Sequence, residues 1–574
     1  MMKRKYLITT LGCKVNQYES EHLRGVLESY GLSPTSRENE ADVAIVNTCA
    51  VTAAASRKSR QSLRRLSREG ATSVIAVGCA ATEDAARLAA IPGVSAVFGH
   101  DTDTVAELRA FLEENFGGVR SDRAALHDQP DHGTSSSPHL PEHSTSLTAL
   151  RDQQEQEQPD VRTEANSFPT IETQPGRQQS GTRNRVGASN SLAINAPEVQ
   201  SGNKGWMMPA NATSSQADSD GIVPQRLPIV NQDQALNSRI DVFHGHQRAF
   251  LKVQDGCDAF CSYCIIPRLR PSLRSKPIDV AIDEARSLVA SGHQEIIITG
   301  IFLGAYGRET AIRKRFGAER SPLAALVRGL AQVEGLKRLR LSSLEPGDVD
   351  EELLDVLASE PVCVPHLHLP LQAGSAEILR RMNRQYTRDD FDAMIDRTRS
   401  RLDRPAISTD IIVGFPGETD ADFEATLEAS RRAAFVKIHA FPFSPRERTA
   451  AARWQKDFVQ SGLARDRMNE LGKLESELST RFRRQFIGDV ERVLIEQDDD
   501  PFDVMEGTVV PRQGRTDRYF PVHFEDAEAS VGDLVDVRID RVTPTRTHGT
   551  VIRNSPNRYP LPVLPTLSDA SFLE

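Results

Sequence analysis

No run of about 18 apolar residues occurs in the 574-residue chain, which excludes a membrane-spanning helix. Net positive charge is missing as well. The formal charge is −10, so any nucleic acid would have to be met by local basic surfaces rather than by the overall field. Cysteine is scarce, seven in all, and so few in so long a chain do not make a disulfide framework. The basic start, Met1 to Tyr6, leads into a strand-like run rather than a long apolar segment. We therefore expect no signal peptide, no membrane partner and a cytoplasmic protein. Six of the cysteines fall into two sets of three; Cys363 belongs to neither and reads as structural.

The organisation predicted is α/β and multidomain. Residues 1–116 alternate short apolar runs (Tyr6–Ile8, Val43–Val46, Val74–Val77) with helix-like stretches (Ser20–Tyr30, Ala54–Glu69), the pattern of an open parallel sheet. Residues 117–235 lose apolar periodicity and are crowded with Ser, Gln, Asn, Asp, Pro and Gly. They hold nine Lys/Arg against fourteen Asp/Glu, half of the net charge, and read as a disordered insertion without enough apolar surface to offset backbone ordering. Trp206-Met207-Met208 within it reads as an incidental patch rather than a docking peptide. Residues 236–486 return to alternation, with strand-like runs at Ala249–Gln254, Glu295–Thr299, Leu339–Ser342, His366–Leu371, Ile407–Gly414 and Val436–Phe441. Six βα units predict a partial (β/α)6 barrel, followed by a long charged helix over about 457–486. Residues 487–556 switch to period two and predict a small antiparallel β-barrel, with 557–574 as a tail.

Cys257, Cys261 and Cys264 lie on one short loop after the first barrel strand. Three thiolates so spaced can hold three irons of a 4Fe-4S cluster and leave the fourth open to a small chelating molecule. Structural zinc is the rival, with His244 or His246 as a fourth ligand. Cys13, Cys49 and Cys79 are 36 and 30 residues apart, one βα unit each, and each follows a predicted strand. Parallel strands end on one side of a sheet, so the three can converge on a second cofactor; the alternative is three separate buried cysteines.

The run Cys257-x3-Cys261-x-Tyr263-Cys264 after a first barrel strand resembles the radical S-adenosylmethionine superfamily. The resemblance implies that S-adenosylmethionine chelates the open iron and is cleaved by an electron from the cluster to a 5′-deoxyadenosyl radical. Further runs at the ends of successive strands are similar to the same superfamily. They nominate Tyr263, Gly300, Glu345, Gln372, Gly414, Glu418 and Phe441 as cofactor-binding residues. The first cysteine set, in Thr10-Leu-Gly-Cys-Lys-Val-Asn-Gln-Tyr-Glu-Ser, resembles the methylthiotransferase family, whose N-terminal domain carries an auxiliary 4Fe-4S cluster on three cysteines. This run looks like the branch acting on threonylcarbamoyladenosine in tRNA, and Asn47-Thr-Cys-Ala-Val-Thr followed by Arg57-Lys-Ser-Arg-Gln fits the same branch. The isopentenyladenosine branch more often has Gly-Cys-Gln, and the ribosomal-protein aspartate branch Gly-Cys-Pro.

What the resemblance implies is methylthiolation of C2 of the modified adenosine next to the anticodon (position 37). It also implies two 4Fe-4S clusters, S-adenosylmethionine, an electron donor of flavodoxin or ferredoxin type, and a sulfur donor. A non-catalytic RNA-binding iron–sulfur redox sensor is the reading in another class. The insertion departs from the family pattern, as does Arg446-Glu-Arg-Thr-Ala after the sixth strand, where Gly-Thr is usual.

The small C-terminal barrel resembles the TRAM module, an RNA-binding domain. Arg515, Arg518 and Tyr519 place cations beside an aromatic, which suits phosphate contact with base stacking. Arg57, Lys58, Arg60 and Arg64 form a second basic surface on the helix after Cys49. His366, His368 and Gln372 are candidates for proton handling by position.

Overall fold

The computed structural model describes residues 4–117, 236, 239–315, 321–498, 510–526 and 528–553. The readings of 118–235, of Trp206–Met208, of the Gly507 strand run and of 557–574 lie outside the described residues. Among the described residues no helix is long and apolar enough to cross a membrane.

The N-terminal sheet comprises β1 (Lys5–Thr10), β2 (Ser33–Pro34), β3 (Val43–Thr48), β4 (Ser73–Gly78) and β5 (Val94–Phe98), all parallel in the order β2-β1-β3-β4-β5. Its helices are α1 (Lys14–Ser29), α2 (Ala53–Arg68), α3 (Cys79–Glu83), α4 (Ala85–Ala89) and α5 (Thr104–Phe116). Helix α1 begins six residues before the predicted start, because Val15, Tyr18, Leu23, Val26 and Leu27 already give it a buried stripe. Strand β3 is buried at every position, as a central parallel strand between two helical layers must be. The register matters most. Thr10 lies opposite Asn47 and Asn47 opposite Val77, so three strands end at one level and release their loops together.

The central domain begins with β6 (Arg248–Asp255), followed by α6 (Ile266–Leu269), β7 (Arg274–Ser275), α7 (Ile278–Ala290), β8 (Glu295–Gly300), α8 (Pro322–Ala331) and β9 (Arg338–Leu341). It continues through α9 (Glu351–Ser359), β10 (His366–His368), α10 (Ala376–Arg381), α11 (Arg388–Arg401), β11 (Ala406–Val413), α12 (Asp420–Ala433), β12 (Lys437–Pro442) and α13 (Ser461–Arg484). Two parallel segments, β6-β8-β9 and β10-β11-β12, meet through the bridges Leu339–Cys363 and Ser343–His368. The curled sheet is the partial barrel that six βα units predicted. β7, a short antiparallel addition to β6, was not foreseen. Capping boxes at Thr387–Asp390 and Thr419–Asp422 start α11 and α12.

The C-terminal barrel closes as β13 (Val490–Asp498), β14 (Val510–Thr516), β15 (Pro521–Asp526), β17 (Thr547–Val551) and β16 (Leu534–Val542). All its seams are antiparallel except β15–β17, which is parallel. β17 escaped prediction because Thr-His-Gly-Thr-Val lacks alternating apolar residues.

Candidate functional site: two cysteine triplets at the strand ends

In the N-terminal sheet Cys13 caps α1, Cys49 follows β3, and Cys79 opens α3. Polar side chains lace the three loops together. Asn16 Nδ2 donates to the carbonyls of Leu11 (2.9 Å) and Thr48 (3.0 Å), and Asn47 Nδ2 donates to the Asn16 carbonyl (2.8 Å). Thr48 Oγ1 accepts from the amides of Ala80 (3.1 Å) and Ala81 (3.2 Å), which fixes the turn carrying Cys79. Gly12 has φ of +107°, and a Cβ there would lie 3.1 Å from Cys49 Sγ, so only glycine lets the first two cysteine loops approach this closely. Cys13 adds to the upward pKa shift of both Cys49 and Cys79, so the three thiols share one electrostatic neighbourhood. Burial is the larger cause and takes Cys79 up to about 12. Thiols held protonated in this way ionise when a cation takes the proton's place.

The second triplet sits at the C-terminal end of β6. A Cβ on Gly256 would fall 1.9 Å from the Ser272 carbonyl oxygen, so the loop passes its neighbour at backbone distance. Phe260, between the first two cysteines, has φ of +53° and an exposed ring, and its carbonyl is held by Asn383 Nδ2 at 3.0 Å. Burial raises Cys257 and takes Cys264 up to about 12, with Cys261 adding to both shifts and Cys264 to that of Cys257. Cys79 of the first triplet also raises Cys264. The two triplets are therefore near neighbours across the interface of the sheet and the central barrel.

That interface is ionic. Arg270, buried six residues after Cys264, forks onto Glu19 of α1 (2.8 and 2.9 Å) and reaches Asp255 (2.9 Å), while its carbonyl accepts the Cys257 amide (3.0 Å). Lys252 joins both carboxylates at 2.8 Å. Arg270 also lies 2.7 Å from His100 Nε2, which is 3.7 Å from Cys79 Sγ. A guanidinium only donates, so His100 accepts at Nε2 and is neutral. Burial, then Arg270, pushes its pKa down to about 3. A cavity of about 80 Å³ adjoins the network, lined by Tyr18, Glu19, His22, His100 and Lys252 among others.

Among the described residues no three His, Cys, Asp or Glu side chains converge tightly enough for a single metal ion. His244 pairs with Glu21 (3.1 Å) and His246 contacts Phe243 and Phe250. Both precede β6, while Cys257 follows it, and an eight-residue strand spans about 26 Å. Neither histidine completes a zinc site with the Cys257 loop.

Of the residues expected to bind cofactor, Tyr263 stands edge-on to Phe415 (6.5 Å) and accepts from Arg384 at 3.2 Å. Glu345 accepts from Arg384 and from Arg313 (3.1 Å). Gly300 ends β8, where a Cβ would press on Gln254 at 2.9 Å. Gln372 has φ of +61° and its main chain bridges to Asp410 and Ile412. Phe441 is exposed at the end of β12. Glu418 is occupied within the fold, accepting from the Gly414 amide and from Arg467, each at 2.7 Å, and so ties the turn after β11 to α13.

The basic residues divide. Arg57, Lys58 and Arg64 on α2 are exposed and Arg60 is half-exposed, directly after the Cys49 loop. Arg515, Arg518 and Tyr519, expected to face RNA, are instead occupied within the fold. Arg518 is buried between Glu491 and Asp403, both at 3.0 Å, and Arg515 pairs with Glu496 (3.2 Å). Tyr519, at φ of +71°, stacks on His366 at 4.4 Å. Around its ring stand Arg515 (4.5 Å), Arg340 (5.2 Å) and Arg248 (5.9 Å). The histidines expected to handle protons share Ser408: His366 Nε2 and His368 Nδ1 each lie 3.0 Å from its Oγ, and burial pulls His366 well below its usual value.

Sequence reasoning missed Arg270, Glu19, Gln254 and Arg384. Gln254 Nε2 donates to the carbonyls of Asp255 (2.9 Å) and Gly256 (2.8 Å) and braces the cysteine loop from beneath. The Arg446 departure is also explained. Arg446 pairs with Glu83 and with Ser56 Oγ (3.0 Å), and Arg448 adopts φ of +70° where glycine is usual.

Comparison with known proteins divides the chain along the same lines. The model described as Uncharacterized protein family UPF0004 matches residues 5–99, the Radical SAM superfamily model residues 251–429, and the TRAM domain model residues 484–552. The chain is 29% identical over 548 residues to the threonylcarbamoyladenosine tRNA methylthiotransferase MtaB of Bacillus subtilis (strain 168), covering 95% of each. It is 36% identical over 315 residues to the protein of the same name from Chlamydia pneumoniae, covering 55% of this chain and 70% of that one. To the tRNA-2-methylthio-N(6)-dimethylallyladenosine synthase of Maricaulis maris (strain MCS10) it is 37% identical over 304 residues, covering 53% and 64%. Among solved structures it is similar to the radical S-adenosylmethionine methyltransferase TsrM from Kitasatospora setae, with TM-score 0.44, 16% identity, and coverage of 79% and 77%.

Proposed function

This chain belongs to the radical S-adenosylmethionine methylthiotransferase family, and we propose that it places a methylthio group on C2 of N6-threonylcarbamoyladenosine next to the anticodon of tRNA. The observation that carries the reading is the meeting of the two triplets: the Arg270 carbonyl accepts the Cys257 amide (3.0 Å) and its guanidinium reaches His100 (2.7 Å), which lies 3.7 Å from Cys79 Sγ. Groups held on the two loops would face one substrate. The donor chemistry fits a 4Fe-4S cluster at each: three thiols, with glycines where a Cβ would intrude.

Held by Cys257, Cys261 and Cys264, a cluster with S-adenosylmethionine supplies a carbon radical, and a second cluster on Cys13, Cys49 and Cys79 supplies a seat for sulfur. The chain's own residues do the positioning. Gln254 fixes the loop backbone, Arg384 donates to Cys261 Sγ at 3.0 Å, and Arg270 fastens one triplet to the other through main chain and side chain. Phe415, in contact with Tyr263, Phe443 and Trp454, makes an apolar wall behind the Tyr263 ring that keeps water away from that side. Exposed Arg57, Lys58 and Arg64 offer phosphate contacts beside the Cys49 loop. A reductant of ferredoxin or flavodoxin type and a sulfur donor complete the set of partners.

The threonylcarbamoyl branch is supported by the runs around Cys13 and Cys49 and by the relative matched along 95% of its length. Isopentenyl-type adenosine is the second reading, supported by the relative named for dimethylallyladenosine. Mass spectrometry of tRNA nucleosides from cells with and without the gene separates them. Loss of methylthio-threonylcarbamoyladenosine on deletion is expected. Its persistence, with loss of the isopentenyl counterpart, would replace the first reading by the second.

A further inference from the structure

Lys14 lies in the Thr10–Ser20 run around Cys13, and its surroundings have a chemical content of their own. It is the first residue of α1 and one helical turn before Tyr18, whose hydroxyl bonds Glu284 of the central domain at 2.9 Å. Lys14 therefore lies on the helix face turned to that domain. It is half-buried and within electrostatic reach of Tyr519, Arg248, Arg340 and Asp410. Arg248 comes from β6, Arg340 from β9, His366 from β10 and Asp410 from β11. Side chains from four strands around a curled sheet meet only in its lumen, and Tyr519 forms the floor there by stacking on His366.

Carboxylates on this floor are shared between cations, Glu496 by Arg248 and Arg515 and Glu295 by Arg338 and Arg340. Arg248 pairs with Glu496 (3.0 Å), Arg340 with Glu295 (2.8 Å), Arg515 with Glu496 (3.2 Å) and Asp410 with His368 (3.2 Å). Lys14 makes no hydrogen bond or ion pair among the described residues. A lone ammonium in a partly desolvated lumen lined by further cations calls for an anion, and hydrocarbon placed there would leave it unpaired.

We propose that Lys14 is a specificity-determining residue that receives the threonyl carboxylate of the substrate's N6 group, with the cations around Tyr519 reinforcing its pull. The inference rests on the threonylcarbamoyladenosine reading above. The carboxylate hangs several bonds from C2, just as the Lys14 ammonium hangs several bonds from Cys13, so base and carboxylate can be addressed from adjacent residues. An isopentenyl group has no charge to offer and would be refused at the same point.

The test uses the full chain without reconstituted clusters and two anticodon stem–loops. One carries threonylcarbamoyladenosine; the other is identical but methyl-esterified at the threonyl carboxylate. In fluorescence anisotropy the unaltered protein should bind the free acid roughly 10- to 100-fold more tightly than the ester, the range of one charge-assisted contact. Lys14→Gln should bind both equally, and Lys14→Arg should recover most of the preference. Equal iron per chain after reconstitution shows that the variants are folded around the adjacent Cys13. A Lys14→Gln protein that still prefers the acid as strongly as the parent would overturn the proposal, as would a parent with no preference. The substrate reading is judged separately, by which nucleoside the reconstituted parent converts. Conversion of threonylcarbamoyladenosine with an unaltered preference in Lys14→Gln would sink this inference alone.

Discussion

Arg384 Nη1 donates to Cys261 Sγ across 3.0 Å, and the same guanidinium is held by Glu345 and reaches Tyr263 Oη at 3.2 Å. A fixed, buried cation thus sits on one of the three sulfurs proposed to hold iron. A donor on a ligand sulfur favours the reduced, more negative state of a cluster. Arg384→Gln should make the midpoint potential of the reconstituted cluster more negative by on the order of 50 mV, since tenfold in a one-electron equilibrium is about 59 mV. Iron content should not change. A potentiometric titration followed by electron paramagnetic resonance reads this directly, and an unmoved midpoint would reduce Arg384 to a packing role.

The interface network predicts a pH dependence. Burial alone would raise both Glu19 and Asp255, but Arg270, the largest of the lowering causes, together with Lys252 and the hydrogen bonds outweighs it. Their folded values lie below the unfolded value of about 4, so the stability they contribute is fully present above pH 4. It is lost only as the pH falls through the depressed folded values. Arg270→Met leaves the two carboxylates with Lys252 and, on Asp255, the longer contact of Arg274 (3.5 Å), and should cost about 3 kcal/mol at neutral pH. The deficit should shrink as the pH falls toward 4, where the stranded carboxylates take up protons. Thermal melts of both proteins from pH 8 to pH 4 test this, and a deficit constant across that range would mean the loss is one of packing.

Much of this site could be read from the chain because its chemistry demands residue types at particular places. Cys13, Cys49 and Cys79 had to follow strands, and parallel strands had to end together, so their meeting was legible. Arg270 and Glu19 were not, since they lie 251 residues apart and nothing local marks them as partners. Tyr519 shows a different limit. Its cationic neighbours were visible, but the turn that points the ring at His366 rather than at solvent depends on a φ of +71° and on docking against another domain. The short strands β2 and β7 carry too few residues to show a period.

Iron counts should separate the two triplets. Three thiols per cluster and two sets predict about eight irons per chain after anaerobic reconstitution. Replacing Cys257, Cys261 and Cys264 together by Ala should halve that figure and abolish S-adenosylmethionine cleavage. Replacing Cys13, Cys49 and Cys79 should also halve it while sparing uncoupled cleavage. Full iron in the second triple variant would mean that those thiols, though gathered by Asn16, Asn47 and Thr48, hold no cluster.

The last expectation concerns how an acidic chain meets RNA. With Arg518 and Tyr519 occupied in docking the small barrel and Arg515 paired with Glu496 inside it, Arg57, Lys58 and Arg64 are the predicted cations left facing solvent beside a cysteine loop. Each phosphate neutralised releases counterions, and for single-stranded RNA the slope of log K against log salt is about −0.7 per contact. Replacing the three together by Ala should therefore flatten the slope by about 2, while iron content and uncoupled cleavage of S-adenosylmethionine stay as they were. Binding of full-length tRNA measured at several potassium chloride concentrations gives the slope. An unchanged slope with weakened binding would show that α2 acts on the fold, and unchanged binding at every salt would move the RNA path elsewhere.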